Sequence, residues 1–381
     1  PDDPLHEEPP PVPATDPNPR DLSEILELLS NTLGSPGERH PEIGVIPAGG
    51  VNTLGEVLDG PWYVNRHGKK RMTRQALMRG PGNERPPSRD GVWQALTVKP
   101  YGIRPGILIA DSDKQLYLLR FDPKGHLEMA TGASMVASRF FHALGYFVPE
   151  IHIVYFERDQ LVASEAGEGI TSMGRTRDLL EEDIDQFLQT VARDPERGYR
   201  AAATRIAVDW EGLVGRYQVF GTRSDDPNDI VPHEHRRDLR GLFVFCAWLN
   251  HTTMRAVNTM DVLVRENSVP HIEHYLIGFV AALGSGEGRP KDVREGNEPA
   301  YDPNRSLKNA LGMGVYTPRW MRANYPKLPS VGNFEYETFE PERWTTSHEI
   351  APFANRLPDD NFWAAKQVMA FTADDIAAIV S

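Results

Sequence analysis

Between residues 92 and 156 short apolar runs alternate with turns, and the runs at 95–98, 106–110 and 115–121 have the length and β-branched or aromatic content of strands. Asp111-Ser112-Asp113-Lys114 supplies the turn between the last two. The apolar spacing then lengthens over 128–144, which predicts a helix ended by Gly145, and 148–156 returns to strand. Residues 176–195 read as an acidic helical stretch ending at Asp194-Pro195, and 201–220 as strand and turn. A polar loop over 221–241 enters a helix that ends near Leu249, and a hairpin is expected from 259–264 with 274–280. Two helical pieces close the chain over 359–380, the second opened by the capping box Thr372-Ala373-Asp374-Asp375.

The remaining stretches lack this periodicity. Residues 1–20 contain eight prolines and almost no large apolar side chain, so they form an extended arm, either a disordered leader or a strap along the protein's own surface or a partner's. Apolar residues at 22, 25, 26 and 29 predict a short amphipathic helix behind it. Residues 34–87 are irregular, and so are 284–350, where Trp320 and Trp344 are the anchors to expect. The fold class is α+β, with a Pro-rich arm over 1–20 and a helix with irregular extension over 21–91. A small β-rich lobe with one helix follows over 92–165, and a larger, mainly helical lobe over 166–381.

A length of 381 residues supports sizeable cores, and a formal net charge of −13 argues against a general nucleic-acid binder. Protein or small-molecule partners fit better. The single cysteine, Cys246, lies inside an apolar run and reads as a small buried hydrophobe, so no internal disulfide exists. No run reaches the roughly 18 apolar residues of a membrane span. The sequence starts at Pro1 without Met, as a processed form whose targeting segment has gone would.

Strands, one helix and a further strand are the order of a kinase small lobe, and the chemistry-bearing positions follow in the matching order. Phosphoryl transfer needs a cation over the phosphates, an acid that orients the nucleophile and oxygen ligands for magnesium. Arg120 stands where the small-lobe lysine would, with Glu128 as its expected partner and Asn258 at the amide metal-ligand position. Thr253, five residues before Asn258, occupies the place of the catalytic acid, and Gly278, before Phe279, that of the magnesium acid. A threonine hydroxyl cannot accept a proton as a carboxylate does, and glycine has no oxygen to offer a hard cation. Asp261 is the nearest acid in sequence. These are degenerate positions: no catalytic residue, no metal and no cofactor are assigned, and Arg120, Glu128 and Asn258 remain as vestiges of a nucleotide site.

Two clusters admit other chemistry. His233, His235, His251, His271 and His274 fall into no zinc-ligand spacing and read as structural. His235, Arg236, Arg237 and Arg240 can hold an anion, but Asp225, Asp226, Asp229, Glu234 and Asp238 lie close enough to neutralise them, and buried charges persist mainly when paired.

The chain resembles a bacterial extracytoplasmic family, usually made with an export signal, that carries protein-kinase-like motifs. The residues in question include Arg120-Phe121-Asp122-Pro123, Glu128-Met129-Ala130-Thr131, the block 221–241, Asn250-His251-Thr252, Tyr275-Leu276-Ile277 and Phe362-Trp363-Ala364-Ala365, and the similarity spans nearly the whole chain. It implies a two-lobed protein-kinase-like fold with Lys before Phe-Asp-Pro, Asp after His-Thr and Asp-Phe-Gly after Tyr-Leu-Ile. This sequence departs at Arg120, Thr253, Gly278 and Val280. The expectation is a catalytically inactive, periplasmic or otherwise exported binding or structural subunit that docks on a protein partner such as a membrane complex. An atypical phosphotransferase, or a nucleotide- or anion-binding protein without turnover, is the alternative.

Overall fold

The computed structural model describes residues 10–14, 17–18, 37–99, 106–170, 176–206, 212–266, 269–286, 288–298, 319–325 and 327–381. The helix expected over 21–29 lies outside them. The architecture is α+β. An antiparallel meander of β1 (Trp93–Lys99), β2 (Gly106–Ala110) and β3 (Leu116–Phe121) forms the centre of a large sheet, and helix α2 (Met129–Leu144) follows it. Strand β4 (Ile151–Phe156) comes next, yet the partner of β3 is β8 (Gly198–Ile206), which lies between β3 and β4 and is antiparallel to both. The residues between β4 and β8 add β5 (Leu161–Ile170) parallel to β1, then β6 (Thr176–Asp178) at the edge, helix α3 (Glu181–Leu188) and β7 (Arg193–Asp194) beside β8.

The large sheet does not stop at residue 165. Strand β5 runs straight through it, and the sheet continues to residue 206. The polar, helix-like composition of 176–195 conceals that its flanking strands pair with distant partners, which is where sequence periodicity carries no information.

Alternation decides which face of the sheet is buried. Ile107, Ile109, Tyr117 and Leu119 point to one side with Trp93 and Phe156, and α3 covers them with Ile184, Phe187 and Leu188. A second core gathers α2, helix α4 (Arg237–Trp248) and the C-terminal helices α5 (Ala351–Ala354), α6 (Pro358–Met369) and α7 (Ala373–Val380). Trp344 belongs to this core and Trp320 is buried. Helix α1 (Arg74–Arg79) precedes β1.

The start and end of α2 are fixed chemically. Asp122, buried, accepts from the backbone N–H of Glu128 (2.8 Å) and of Thr131 (2.9 Å), so one carboxylate satisfies two amides at the helix N-terminus. Arg200 reaches the same carboxylate from β8 at 3.3 Å. At the other end Gly145 has φ 121°, and an added Cβ would meet the Tyr63 ring at 2.3 Å, so only glycine fits. The Tyr63 hydroxyl donates to the Leu144 carbonyl at 2.5 Å, sealing the corner.

A second, three-stranded sheet joins β9 (Gly212–Gly215), before α4, to β10 (Thr259–Glu266) and β11 (Val269–Leu276), after it, in the order β11-β10-β9. The hairpin thus starts where the sequence placed it, but its return strand is 269–276 rather than 274–280. Residues 277–281 leave the ladder because Gly278 turns at φ 80°, a left-handed conformation, into a short helical turn over Phe279–Ala281.

Candidate functional site

The loop between α4 and β10 and the segment after β11 come together, and they carry three of the positions singled out by sequence. Asn258 donates from Nδ2 to the carbonyl of Thr253, closing the loop upon itself. The backbone N–H of Ile277 donates to the Asn258 carbonyl at 2.9 Å, which places Gly278 beside the loop. The Oγ1 atoms of Thr252 and Thr253 and the Oδ1 of Asn258 are buried without a hydrogen-bond partner. A cleft of about 430 Å³ opens next to Thr253, lined by Ala281, Gly286, Gly288, Arg289 and Glu295 as well. Arg289 in this lining pairs with Glu295 at 2.7 Å.

Packing and internal donors hold this loop in place. Phe279 stacks on Phe141 of α2 with centroids 5.1 Å apart, and His251 packs edge-on against Phe141 at 5.8 Å, so one aromatic group ties helix and loop together. Lys291 is fully buried, and its ammonium donates to the carbonyls of Asn250 and Ala281, the latter at 2.9 Å. Burial lowers its pKa to about 7. The C-terminal segment adds a donor from Thr346 Oγ1 to the Thr252 carbonyl at 2.8 Å and one from Trp344 Nε1 to Asn250 Oδ1 at 3.1 Å.

Arg120 and Glu128 make other contacts. Arg120 on β3 packs over Gly106, where an added Cβ would lie 3.0 Å from its Nη1. Glu128 is in the left-handed region at φ 75°, and its carboxylate faces Arg197 at 3.8 Å.

Asp261 is committed elsewhere. It pairs across the hairpin with His274, and that register puts His274 Nδ1 2.7 Å from Asp261 Oδ1. Arg223 donates to the other oxygen at 2.9 Å, and all three side chains are almost wholly enclosed. Around them Trp62 stacks on His274 with centroids 3.6 Å apart, and the Arg236 guanidinium lies 4.6 Å from the Trp62 ring. His233 reaches Asp229 at 2.8 Å. Burial alone would raise the Asp229 carboxyl, but its bond to His233 holds it below the usual range. Asp226, with less compensation, is raised by burial.

Each residue of the basic cluster is paired within the chain. Arg236 meets Asp238 at 2.8 Å, Arg237 meets Asp360 at 3.0 Å, and Arg240 meets Asp360 at 3.5 Å. Arg240 also donates to the Glu234 carbonyl at 2.7 Å and to His235 Nδ1 at 2.9 Å. Asp360, on α6, was invisible as a partner because it lies 120 residues beyond Arg240. The only local hint is its own capping position, since it accepts from the Leu357 N–H at 2.8 Å. Lys291 had no sequence signal at all, and Arg223 only its place in a charged loop. Among the described residues no group of three or more His, Cys, Asp or Glu is arranged to hold a metal ion. Cys246 is buried and its thiol pKa is pushed up by that burial, which makes it a poor nucleophile.

No family model, curated protein or solved structure matches the chain.

Proposed function

We propose that this chain is a kinase-like domain without phosphotransfer activity that works as a binding or structural subunit. The observation that carries the reading is that no carboxylate stands at either acid position of the loop, and that the nearest one, Asp261, is bound elsewhere. Asn258 bonds to the carbonyl of Thr253, Asp261 is held by Arg223 and His274, and Gly278 offers no side chain. Magnesium needs several oxygen ligands at once, and the two positions from which phosphotransferases supply carboxylates hold none. The strand order, with α2 between β3 and β4 and with α4, a loop and a hairpin after the sheet, supports the kinase-like part of the reading.

A binding role fits a molecule whose loops are locked by a buried lysine and an aromatic stack rather than poised to close on a substrate. Export, and docking on a membrane complex, rest on the family resemblance. Among the described residues no helix is long and apolar enough to cross a membrane. Purification of the native protein under mild conditions tests the proposal: a stoichiometric protein partner supports it, and a monomer in every native preparation counts against it. The cleft beside Thr253 favours one second reading, binding of a small ligand without turnover. Saturable binding of ATP without metal and without phosphate release would select it.

A further inference from the structure

The proline-rich arm is recognised by the body of the protein in the manner of a bound peptide. Asn228 clamps Val12 with both ends of its amide: Oδ1 accepts from the Val12 N–H at 2.7 Å, and Nδ2 donates to the Val12 carbonyl at 2.9 Å. The Ala14 N–H donates to the Pro270 carbonyl at 2.8 Å, and Ala14 is fully buried in a small core with Val214 and Ile272. Further along, Asn18 donates its N–H to Asp225 at 2.8 Å and accepts at its carbonyl from Arg223 at 2.6 Å. Every one of these polar contacts reads the arm's main chain, and main-chain recognition tolerates other sequences in the same extended shape.

The receiving groups are held ready by the body itself. Asp226 Oδ1 accepts from both the N–H and the side-chain amide of Asn228 (2.9 and 3.0 Å), which orients the clamp. Arg223 is fixed by Asp261. The arm also leaves its seat incompletely filled. A cavity of about 350 Å³ remains between Pro10, Pro11 and Val12 on one side and Val51, Leu58, Pro61, Ile230 and Val231 on the other. Ile230 stays 80% exposed there. Proline and valine are too small to occupy that space, whereas an aromatic side chain is the right scale for it.

We propose that this face is a docking groove for an extended, proline-rich segment of a partner protein bearing a large apolar side chain, and that residues 10–14 and 17–18 keep it closed in cis. The groove rests on the binding-subunit reading and names the kind of partner it takes. The loop after α4 plays no part in it.

The test uses the full chain and a fluorescent peptide copying residues 10–18, followed by anisotropy. In the wild type the arm competes, and the peptide binds weakly. Ala14→Asp places a carboxylate in the apolar seat of the arm and expels it, so affinity for the peptide should rise about 10-fold or more. A peptide with tryptophan in place of Val12 should bind tighter again, and adding Asn228→Ala should cost about 10-fold through loss of two hydrogen bonds. A folded Ala14→Asp chain that binds neither peptide, or binds both regardless of Asn228, overturns the proposal. Should Ala14→Asp fail to fold, Asn228→Ala alone must speed amide exchange at Val12 and Ala14, and unchanged exchange overturns it equally. A partner in the native preparation combined with no peptide binding would leave the binding role standing and remove the groove.

Discussion

Asp261→Ala removes the carboxylate on which Arg223 and His274 converge. The site is closed to solvent, with all three side chains at 1% exposure or less. The guanidinium would keep its contacts to the Val214 carbonyl (3.1 Å) and to Asp225 (3.0 Å), but its buried charge would lose the partner facing Nη1. Breaking a buried pair by deleting one partner costs about 3–5 kcal/mol. With roughly 2.1 cal/mol/K of unfolding entropy per residue, a cooperative chain of 381 residues has about 0.8 kcal/mol/K, so Tm should fall by about 4–6 °C. Differential scanning calorimetry measures it, with urea denaturation as a check. The double variant Arg223→Met with Asp261→Leu removes both charges and should recover much of the loss. If Asp261 were instead a spare metal ligand, Asp261→Ala would relieve an unpaired carboxylate and leave Tm unchanged or raised. A Tm within about 1 °C of wild type therefore refutes the structural role.

Three further substitutions probe the frame. Asp360→Ala strips Arg237 and Arg240 of their shared carboxylate and uncaps α6, and should cost about 3–5 kcal/mol in urea denaturation. Gly145→Ala puts a methyl group into the Tyr63 ring at a positive φ and should lower stability by roughly 2–4 kcal/mol, read from the same midpoint. Lys291 gives a pH-dependent signature. Its folded pKa of about 7 lies below its ordinary 10.5, so the unfolded chain holds more protons in that window. Stability from this group therefore rises as pH increases from about 7, and between there and about pH 9.5 the wild type should gain roughly 3 kcal/mol relative to Lys291→Met. Equal pH dependence in the two proteins would mean that the ammonium is not buried as described.

Local periodicity made the meander, α2 with its glycine stop, α4 and the capped C-terminal helix legible, because each is specified within a window of its own length. Strand was expected from residue 201, but the place of β8 was not legible, since nothing within 198–206 says that it lies between two strands formed 40 or more residues earlier. The hairpin shows the same divide in miniature. Thr259 could be placed as its start, but the length of the return strand depends on Gly278 turning away, which required knowing the loop against which it packs. At the candidate site, Thr253, Asn258 and Gly278 were found by order and spacing, and the structure brings them together. The partners that close the loop, Lys291, Phe141 and Thr346, come from three separate regions and carry no local pattern. For the basic cluster, charge balance suggested neutralisation from within 221–241; Arg236 meets Asp238 there, while the carboxylate shared by Arg237 and Arg240 comes from α6.

Isothermal titration of the folded full chain with ATP and magnesium or manganese, with phosphate release followed in the same sample, bears most directly on the proposal that this chain carries out no phosphotransfer. On that proposal, with Thr253 and Gly278 where a phosphotransferase would carry carboxylates, the chain should give no metal-dependent heat and no turnover. Saturable, metal-dependent binding that disappears in Asn258→Ala, or any ATP hydrolysis that does, would contradict it.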